Sequence, residues 1–140
     1  MQRGLIKAVI VGADRITKDG HVFNKIGTYQ VATLEKKHHV PFYVAAPLSS
    51  FDFVTDWRKV KIEERTETEV KKILGHQIAP DGISVFNPAF DMTPPELISA
   101  IICEAGVLRK PFAAKISAIK RSLMKKESAK EKERISHHQA

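Results

Sequence analysis

Asp14 is the side chain that the sequence places best for acid/base chemistry, because it comes just after the apolar run 8–11. A β-branched run of this kind, bounded by Gly12, predicts a strand that is buried on both faces of a parallel sheet. Open α/β sheets place their ligand sites at the carboxyl ends of such strands. A carboxylate there is partly desolvated, which favours its neutral form and suits it to proton transfer. From spacing alone, capping of the next turn or pairing with Arg15 explains Asp14 equally well.

Residues 24–28, Asn-Lys-Ile-Gly-Thr, form a second candidate site, for an anion. We predict that they open a helix, whose free N–H groups and dipole favour negative charge. Lys25 adds a cation, Gly27 lets a phosphate approach the backbone, and Thr28 adds a hydroxyl. From the residues alone, an ordinary Asn24 cap beside a solvated lysine is the better interpretation, and the glycine spacing is not that of a P-loop. Because the carboxylate ends a strand only ten residues earlier, we expect both sites to face one crevice.

The other reactive side chains give weaker signals. Cys103 falls in an apolar stretch that predicts a helix, so we expect it to be packed, and a single cysteine excludes an internal disulfide. His21 lies between the two candidate sites and could reach a ligand, although a solvent-facing loop histidine is commoner. The histidine pairs at 38–39 and 137–138 have no third ligand at metal-binding spacing, so we expect no metal site.

The formal charge of +7 lies entirely in the C-terminal part of the chain. Residues 109–140 contain ten Lys or Arg against three Glu, whereas residues 1–108 contain thirteen of each sign. A basic tail attracts polyanions non-specifically, but a solvated terminal segment is the commoner case, so nucleic-acid binding is not expected. No apolar run approaches the roughly 20 residues that span a bilayer. With no signal-peptide pattern and one cysteine, we expect a cytoplasmic protein without membrane attachment.

These candidate sites require a framework of alternating strands and helices. The patterns predict strands at residues 7–12 and 41–47 around a helix at 24–39, which is a βαβ unit with a right-handed crossover. We also predict a turn at Asp19-Gly20, an irregular segment at 49–57 with a short helical turn, and a short strand or edge at 61–65. The sequence therefore indicates an α/β fold with a parallel sheet flanked by helices.

The C-terminal half predicts three more helices and one more strand. Thr66 and Glu69 have the spacing of a capping box, with Val70, Ile73 and Leu74 as the apolar face of the helix. Residues 83–88 alternate as a strand does. A helix is predicted from Thr93 to about Gly106, and an amphipathic helix at 111–124. We therefore divide the chain into a domain at 1–124 and a basic tail at 125–140, which we expect to be disordered.

Several of these segments, taken in order, resemble the methylthioribose-1-phosphate isomerases. The resemblance extends from about Ala8 to Gly106 and rests on residues 11–16, 24–29, 41–47, 62–65, 78–82 and 87–94. The superfamily also contains ribose-1,5-bisphosphate isomerases and the regulatory subunits of initiation factor 2B. The Gly-Ala-Asp-Arg and Asn-Pro-Ala-Phe-Asp segments favour the methylthioribose branch. Both other branches remain alternatives, one as an isomerase of a different sugar phosphate and one as a non-catalytic sensor.

The resemblance implies a Rossmann-like domain that isomerises 5-methylthioribose 1-phosphate to 5-methylthioribulose 1-phosphate in methionine salvage, without metal or organic cofactor. It implies that Asp14 is the catalytic acid/base and that Asn24 and Lys25 bind the phosphorylated pentose. The family's N-terminal helical domain, its catalytic cysteine and its upstream phosphate-binding arginines have no counterpart here, and Cys103 stands in the wrong context to replace that cysteine. We therefore expect the C-terminal portion of an isomerase, inactive alone, whose partner is a second copy or a complementing N-terminal half.

Overall fold

The computed structural model describes residues 1–138, and side chains up to residue 134. Its first sheet has four strands, in the spatial order β1 (Val9–Val11), β4 (Phe42–Ala45), β9 (Ala100–Cys103) and β10 (Gly106–Leu108). Strands β1, β4 and β9 are parallel, and β10 is antiparallel to β9. The α/β fold is confirmed, with a sheet that is mixed because its last strand returns through a hairpin.

A second sheet has the order β5-β2-β3-β8. Its strands are β2 (Arg15–Thr17), β3 (Val22–Lys25), β5 (Phe51–Asp52) and β8 (Phe90–Thr93). Strands β2 and β3 form a hairpin whose turn contains the predicted Asp19-Gly20 pair, so the segment expected to be a loop is largely strand. A separate small hairpin joins β6 (Lys72–Ile73) to β7 (His76–Gln77).

Three α-helices and three short 3-10 turns complete the fold of residues 1–138. The helices are α1 (Thr28–His38), α2 (Thr68–Lys71) and α3 (Phe112–His138). The 3-10 turns are Leu48–Ser50, Trp57–Lys59 and Pro95–Leu97. Helix α1 connects the hairpin to β4, which pairs in parallel with β1, and this confirms the predicted βαβ unit.

One apolar cluster joins both sheets to α1 and α3. It contains Ile16, Val22, Ala32, Phe42, Val44, Ala46, Phe51, Ile98, Ile101, Leu108, Phe112 and Ile116. Gly20 shows how closely the hairpin packs on α3, because a Cβ there would lie 2.7 Å from the Phe112 Cβ and its φ is +86°. The tip of the hairpin is thereby held against the start of α3.

The N-terminal strand is less buried than its sequence predicts. Strand β1 forms the edge of the described sheet, and Ile10 is 64% exposed. The expectation of burial on both faces is therefore wrong for this part of the chain, since only the face of Val9 and Val11 packs against the core.

Two predicted elements of the C-terminal half are wrong. The helix expected from Thr93 to Gly106 is instead the end of β8, a 3-10 turn, β9 and the start of β10. Ile98 and Ile101 are fully buried there, and the β-branched side chain of Ile101 suits a strand in the interior of the sheet. Residues 83–87 form no strand, and only Pro88 makes an isolated bridge, with Glu64.

The predicted capping box also fails, for an electrostatic reason. The Glu69 carboxylate accepts two hydrogen bonds from Arg65, at 2.8 and 2.7 Å, and Thr66 provides no side-chain cap. The expected apolar face of this helix is largely exposed, with Leu74 94% accessible.

The amphipathic helix at 111–124 is confirmed as the first part of α3, with Phe112 and Ile116 buried. The helix continues through residues 125–138, where the sequence favoured disorder, and its described side chains beyond Leu123 are exposed. Residues 139–140 of the predicted tail lie outside the described residues. The boundary between a domain at 1–124 and a tail stays a prediction.

Candidate active site

Asp14 occupies the connection between β1 and β2, at the carboxyl end of a parallel strand. Its backbone N–H donates to the Phe23 carbonyl at 2.9 Å, which attaches this connection to β3. The side chain is exposed, so the partial desolvation that we expected is absent from the described chain. A carboxylate in this position is free to reach a ligand but is exposed to water.

Arg15 does not pair with Asp14. Its guanidinium lies 3.1 Å from the Asp52 carboxylate on the neighbouring strand β5. Burial acts to raise the pKa of Asp52, but hydrogen bonds from Thr55 and Val54 and the charge of Arg15 hold that pKa below its ordinary value. The interpretation of Asp14 as the ion-pair partner of Arg15 is therefore wrong.

Asn24 and Lys25 end strand β3 and do not lie in the helix. Helix α1 begins only at Thr28, with Gly27 as its N-cap at φ 105°, so neither an Asn24 cap nor a helix start at residue 24 is present. The Asn24 Nδ2 donates to the Thr28 Oγ1 at 3.0 Å, and that hydroxyl donates to the Lys25 carbonyl at 2.7 Å. We call Asn24, Lys25, Gly27 and Thr28 the binding corner.

The helix start is already capped by an internal carboxylate, which sequence reasoning missed. Asp91 Oδ2 accepts from the Gly27 amide at 2.7 Å, and Asp91 Oδ1 accepts from the Tyr29 amide at 3.1 Å. These amides belong to the group that we expected to hold a phosphate. Within the described chain, negative charge at the helix start is therefore supplied by Asp91, and Lys25 remains the cation available to an outside anion.

The structure brings Asp14 and Asn24 to the same end of the β2–β3 hairpin. The ladder pairs Arg15 with Phe23 and Ile16 with Val22, so its continuation runs from Asp14 toward Asn24. Five cavities of about 300 to 610 Å³ occur in the described part of the chain, and none of these five is lined by Asp14, Asn24 or Lys25. The two sites are neighbours at one end of the hairpin, and the shared crevice stays a prediction.

Lys25 is exposed, and a network of charges lies close to it. The hydrogen bonds of Arg65 hold the pKa of Glu69 below its ordinary value, and the charge of Lys25 acts in the same direction. The backbone supports this proximity, because Ile26 N–H donates to the Ala89 carbonyl at 3.2 Å and Ala89 N–H donates to the Glu63 carbonyl at 2.8 Å. The segment that contains Arg65 therefore lies beside the end of β3.

His21 and Cys103 lie among residues of the fold and not at the binding corner. The His21 ring stacks on Trp57 with a centroid distance of 4.7 Å, and its Nδ1 lies 3.3 Å from Asp19 Oδ1. Cys103 is in β9 and not in the predicted helix.

No three His, Cys, Asp or Glu side chains among the described residues are grouped to hold a metal ion. The described helices also include none that is both long and apolar enough to cross a membrane.

Comparison with known proteins adds an independent observation. Residues 1–110 match the Initiation factor 2 subunit family. A methylthioribose-1-phosphate isomerase of Thermosipho africanus is 58% identical over 113 residues, which are 80% of this chain and 33% of that protein. The chain thus spans about a third of the length of the curated relatives that it matches.

Two solved structures are similar to this fold. The 5-methylthioribose 1-phosphate isomerase of Pyrococcus horikoshii is 43% identical with a TM-score of 0.81, covering 86% of this chain and 34% of that one. The translation initiation factor eIF-2B delta subunit from A. fulgidus is 48% identical with a TM-score of 0.77, covering 82% of this chain and 34% of that one.

Proposed function

The chain belongs to the Initiation factor 2 subunit family, and from this premise we propose that it is the C-terminal third of an aldose–ketose isomerase. Its substrate is 5-methylthioribose 1-phosphate and its product 5-methylthioribulose 1-phosphate, a step of methionine salvage in the cytoplasm. The observation that supports this most strongly is the 58% identity over four fifths of the chain with a methylthioribose-1-phosphate isomerase.

The reaction defines what the site has to do. Because the C1 oxygen is esterified, the sugar cannot open its ring as a free aldose does. The net change breaks the bond between C1 and the ring oxygen, moves the hydrogen on C2 to C1, and moves the C2 hydroxyl proton to the ring oxygen. Asp14 is the group that we assign to carrying protons between these oxygens. Asn24 and Lys25 bind the substrate, with Lys25 as a positive charge for the phosphate.

The described geometry supports low activity for the chain alone. Asp14 is exposed, and a carboxylate surrounded by water is a weaker acid/base catalyst than one in a closed site. The binding corner has one cation among its described residues, Lys25, and Asp91 already occupies the amides at the helix start. A partner that covers Asp14 and adds phosphate ligands would complete the site, either a second copy or a separate N-terminal half.

Reconstitution tests this proposal. Turnover of 5-methylthioribose 1-phosphate is measured with the purified chain alone and with the N-terminal two-thirds of the Thermosipho africanus isomerase added as a separate polypeptide. We expect turnover only in the mixture, and an Asp81→Asn variant, altered at another exposed aspartate, serves as the matched control with unchanged turnover. Full turnover by the chain alone, or none in a mixture that forms a stable complex, would contradict the proposal.

A non-catalytic sensor is the second candidate, because the initiation factor delta subunit of A. fulgidus is 48% identical, against 43% for the solved isomerase of Pyrococcus horikoshii. In that case the binding corner would bind a phosphorylated ligand without converting it. The reconstituted complex separates the two functions. A sensor binds the sugar phosphate and returns it unchanged over hours, whereas an isomerase releases the ketose.

A further inference from the structure

We propose that Asp91 is a positioning residue for the binding corner, because its carboxylate fixes the start of α1 and the start of α1 fixes the side chain of Asn24. The ligand in this inference, a sugar phosphate, rests on the proposed function. The contacts between Asp91, α1 and Asn24 are independent of it.

The first link is the contact between Asp91 and α1. Its two carboxylate oxygens bind different amides, Gly27 at 2.7 Å and Tyr29 at 3.1 Å, so the group spans the helix start as a two-point clamp. Hydrogen bonds from amides to an ionised carboxylate are about twice as strong as neutral ones. Gly27 adopts φ 105°, a backbone conformation that is readily accessible only to glycine. The clamp therefore fixes the helix start at a point where the backbone would otherwise be flexible.

The second link runs from the helix start to Asn24. Thr28 lies between the two clamped residues, and its hydroxyl accepts from Asn24 Nδ2 at 3.0 Å while donating to the Lys25 carbonyl at 2.7 Å. Thr28 is also buried, with 7% of its surface exposed, which restricts its movement. The orientation of the Asn24 amide thus depends on where the clamp holds Thr28.

The third link is the pairing of the strands. Strands β3 and β8 are antiparallel, and their register places Asn24 opposite Asp91 and Lys25 opposite Phe90. Asp91 and the two binding residues therefore lie on adjacent strands at one end of the second sheet. The clamp, the helix start and the binding residues form one closed circuit of contacts, in which Asp91 need not touch the substrate.

Asp91→Asn in the 140-residue chain tests this inference, with Asp56→Asn as the matched control. Asp56 also caps a helical turn, accepting from the Arg58 amide at 3.0 Å, but it lies in a different segment. Without ligand, we expect Asp91→Asn to shift the Asn24 side-chain amide signals in a nitrogen-15 correlation spectrum and Asp56→Asn to leave them in place. With 5-methylthioribose 1-phosphate added, we expect affinity to fall about tenfold for Asp91→Asn and to be unchanged for the control.

A double-substitution cycle with Asn24→Ala separates positioning from a general loss of structure. If Asp91 acts through Asn24, the double variant binds no more weakly than Asn24→Ala alone, whereas independent losses add. If Asp91→Asn does not fold, Thr28→Val breaks the same circuit one step later and is expected to shift the same Asn24 signals. Unmoved Asn24 signals or additive losses would overturn the inference. Shifted signals in a chain that binds no sugar phosphate even when the N-terminal half is added would support the positioning role and contradict the proposed function.

Discussion

Substitution of Glu35 is expected to change how the stability of the chain depends on pH. Glu35 lies on the buried face of α1 with Thr28 and Ala32 and is 0% exposed. Neither of its carboxylate oxygens has a hydrogen-bond partner within the described residues. It also lies near the C-terminus of α1, where the helix dipole disfavours negative charge. A buried, unpaired carboxylate in this position is strongly biased toward its neutral form.

The size of the effect follows from the shift in pKa. Burial raises the pKa of Glu35 from 4.5 to about 7. At about 1.4 kcal/mol for each pKa unit, this shift corresponds to roughly 3 kcal/mol. Since the folded chain binds this proton more tightly than the unfolded chain, its contribution is fully present below pH 4.5 and is lost as pH rises toward 7. Above pH 7 the folded chain carries an ionised Glu35 at that cost.

Glu35→Gln removes the ionisation and nearly keeps the shape of the side chain. We expect the wild-type free energy of unfolding to fall relative to that of Glu35→Gln between pH 5 and 8, by about 3 kcal/mol at most. The measurement is urea unfolding followed by circular dichroism at half-unit pH steps. Taking the difference between variants cancels the contributions of the other ionisable groups, which both chains share.

The control is Glu127→Gln on the exposed face of α3, which should leave the pH dependence of the wild type unchanged. A cavity of about 300 Å³ beside Glu35 is also lined by Lys36, His39, Glu96 and Lys110. If the wild type and Glu35→Gln had parallel pH profiles, Glu35 would be ionised and paired within this cavity, and the reasoning from burial would be refuted.

Two further predictions concern packing. Phe112→Ala removes a side chain that is 3% exposed and should lower the free energy of unfolding by about 3 to 5 kcal/mol. Its control is Phe86→Ala, at a residue that is 79% exposed, which should lower it little. Equal losses in urea unfolding would contradict the assigned core. Gly20→Ala should destabilise by more than about 1 kcal/mol, because φ is +86° and the new Cβ would meet Phe112 at 2.7 Å. Gly12→Ala, which meets nothing within 4 Å, is its control in thermal unfolding, and similar melting temperatures for the two variants would count against this packing.

The sequence was most informative where the signal is local. The apolar spacing of Phe112 and Ile116 predicts α3, and the apolar run before Asp14 predicts β1, because each element carries its own periodicity. The prediction of a helix from Thr93 to Gly106 is wrong because the secondary structure of this segment depends on pairing with distant strands. Ile101 aligns with Val44, 57 positions earlier, and this contact overrides the local helical spacing.

The candidate site shows the same division between local and distant information. Asp14 is predicted because it follows a strand, and Asn24 and Lys25 because their segment has the composition of an anion-binding helix start, although the structure places both at the end of β3. The clamp joins Asp91 to residues more than 60 positions away, and the sequence marks Asp91 only as the last residue of the Asn-Pro-Ala-Phe-Asp segment, without indicating its partners. The burial of Glu35 could not be predicted from the sequence, since one charged residue cannot be recognised as buried before the helix is oriented.

The most direct test of the proposed chemistry is the turnover number of the reconstituted isomerase with Asp14→Asn in this chain. Asparagine keeps the size of the side chain but cannot exchange a proton near neutral pH. We predict a loss of about a hundredfold or more in kcat for 5-methylthioribose 1-phosphate, with substrate affinity nearly unchanged. Turnover within about twofold of the wild type would show that Asp14 carries no proton in this reaction, and the assignment of the active site would be wrong.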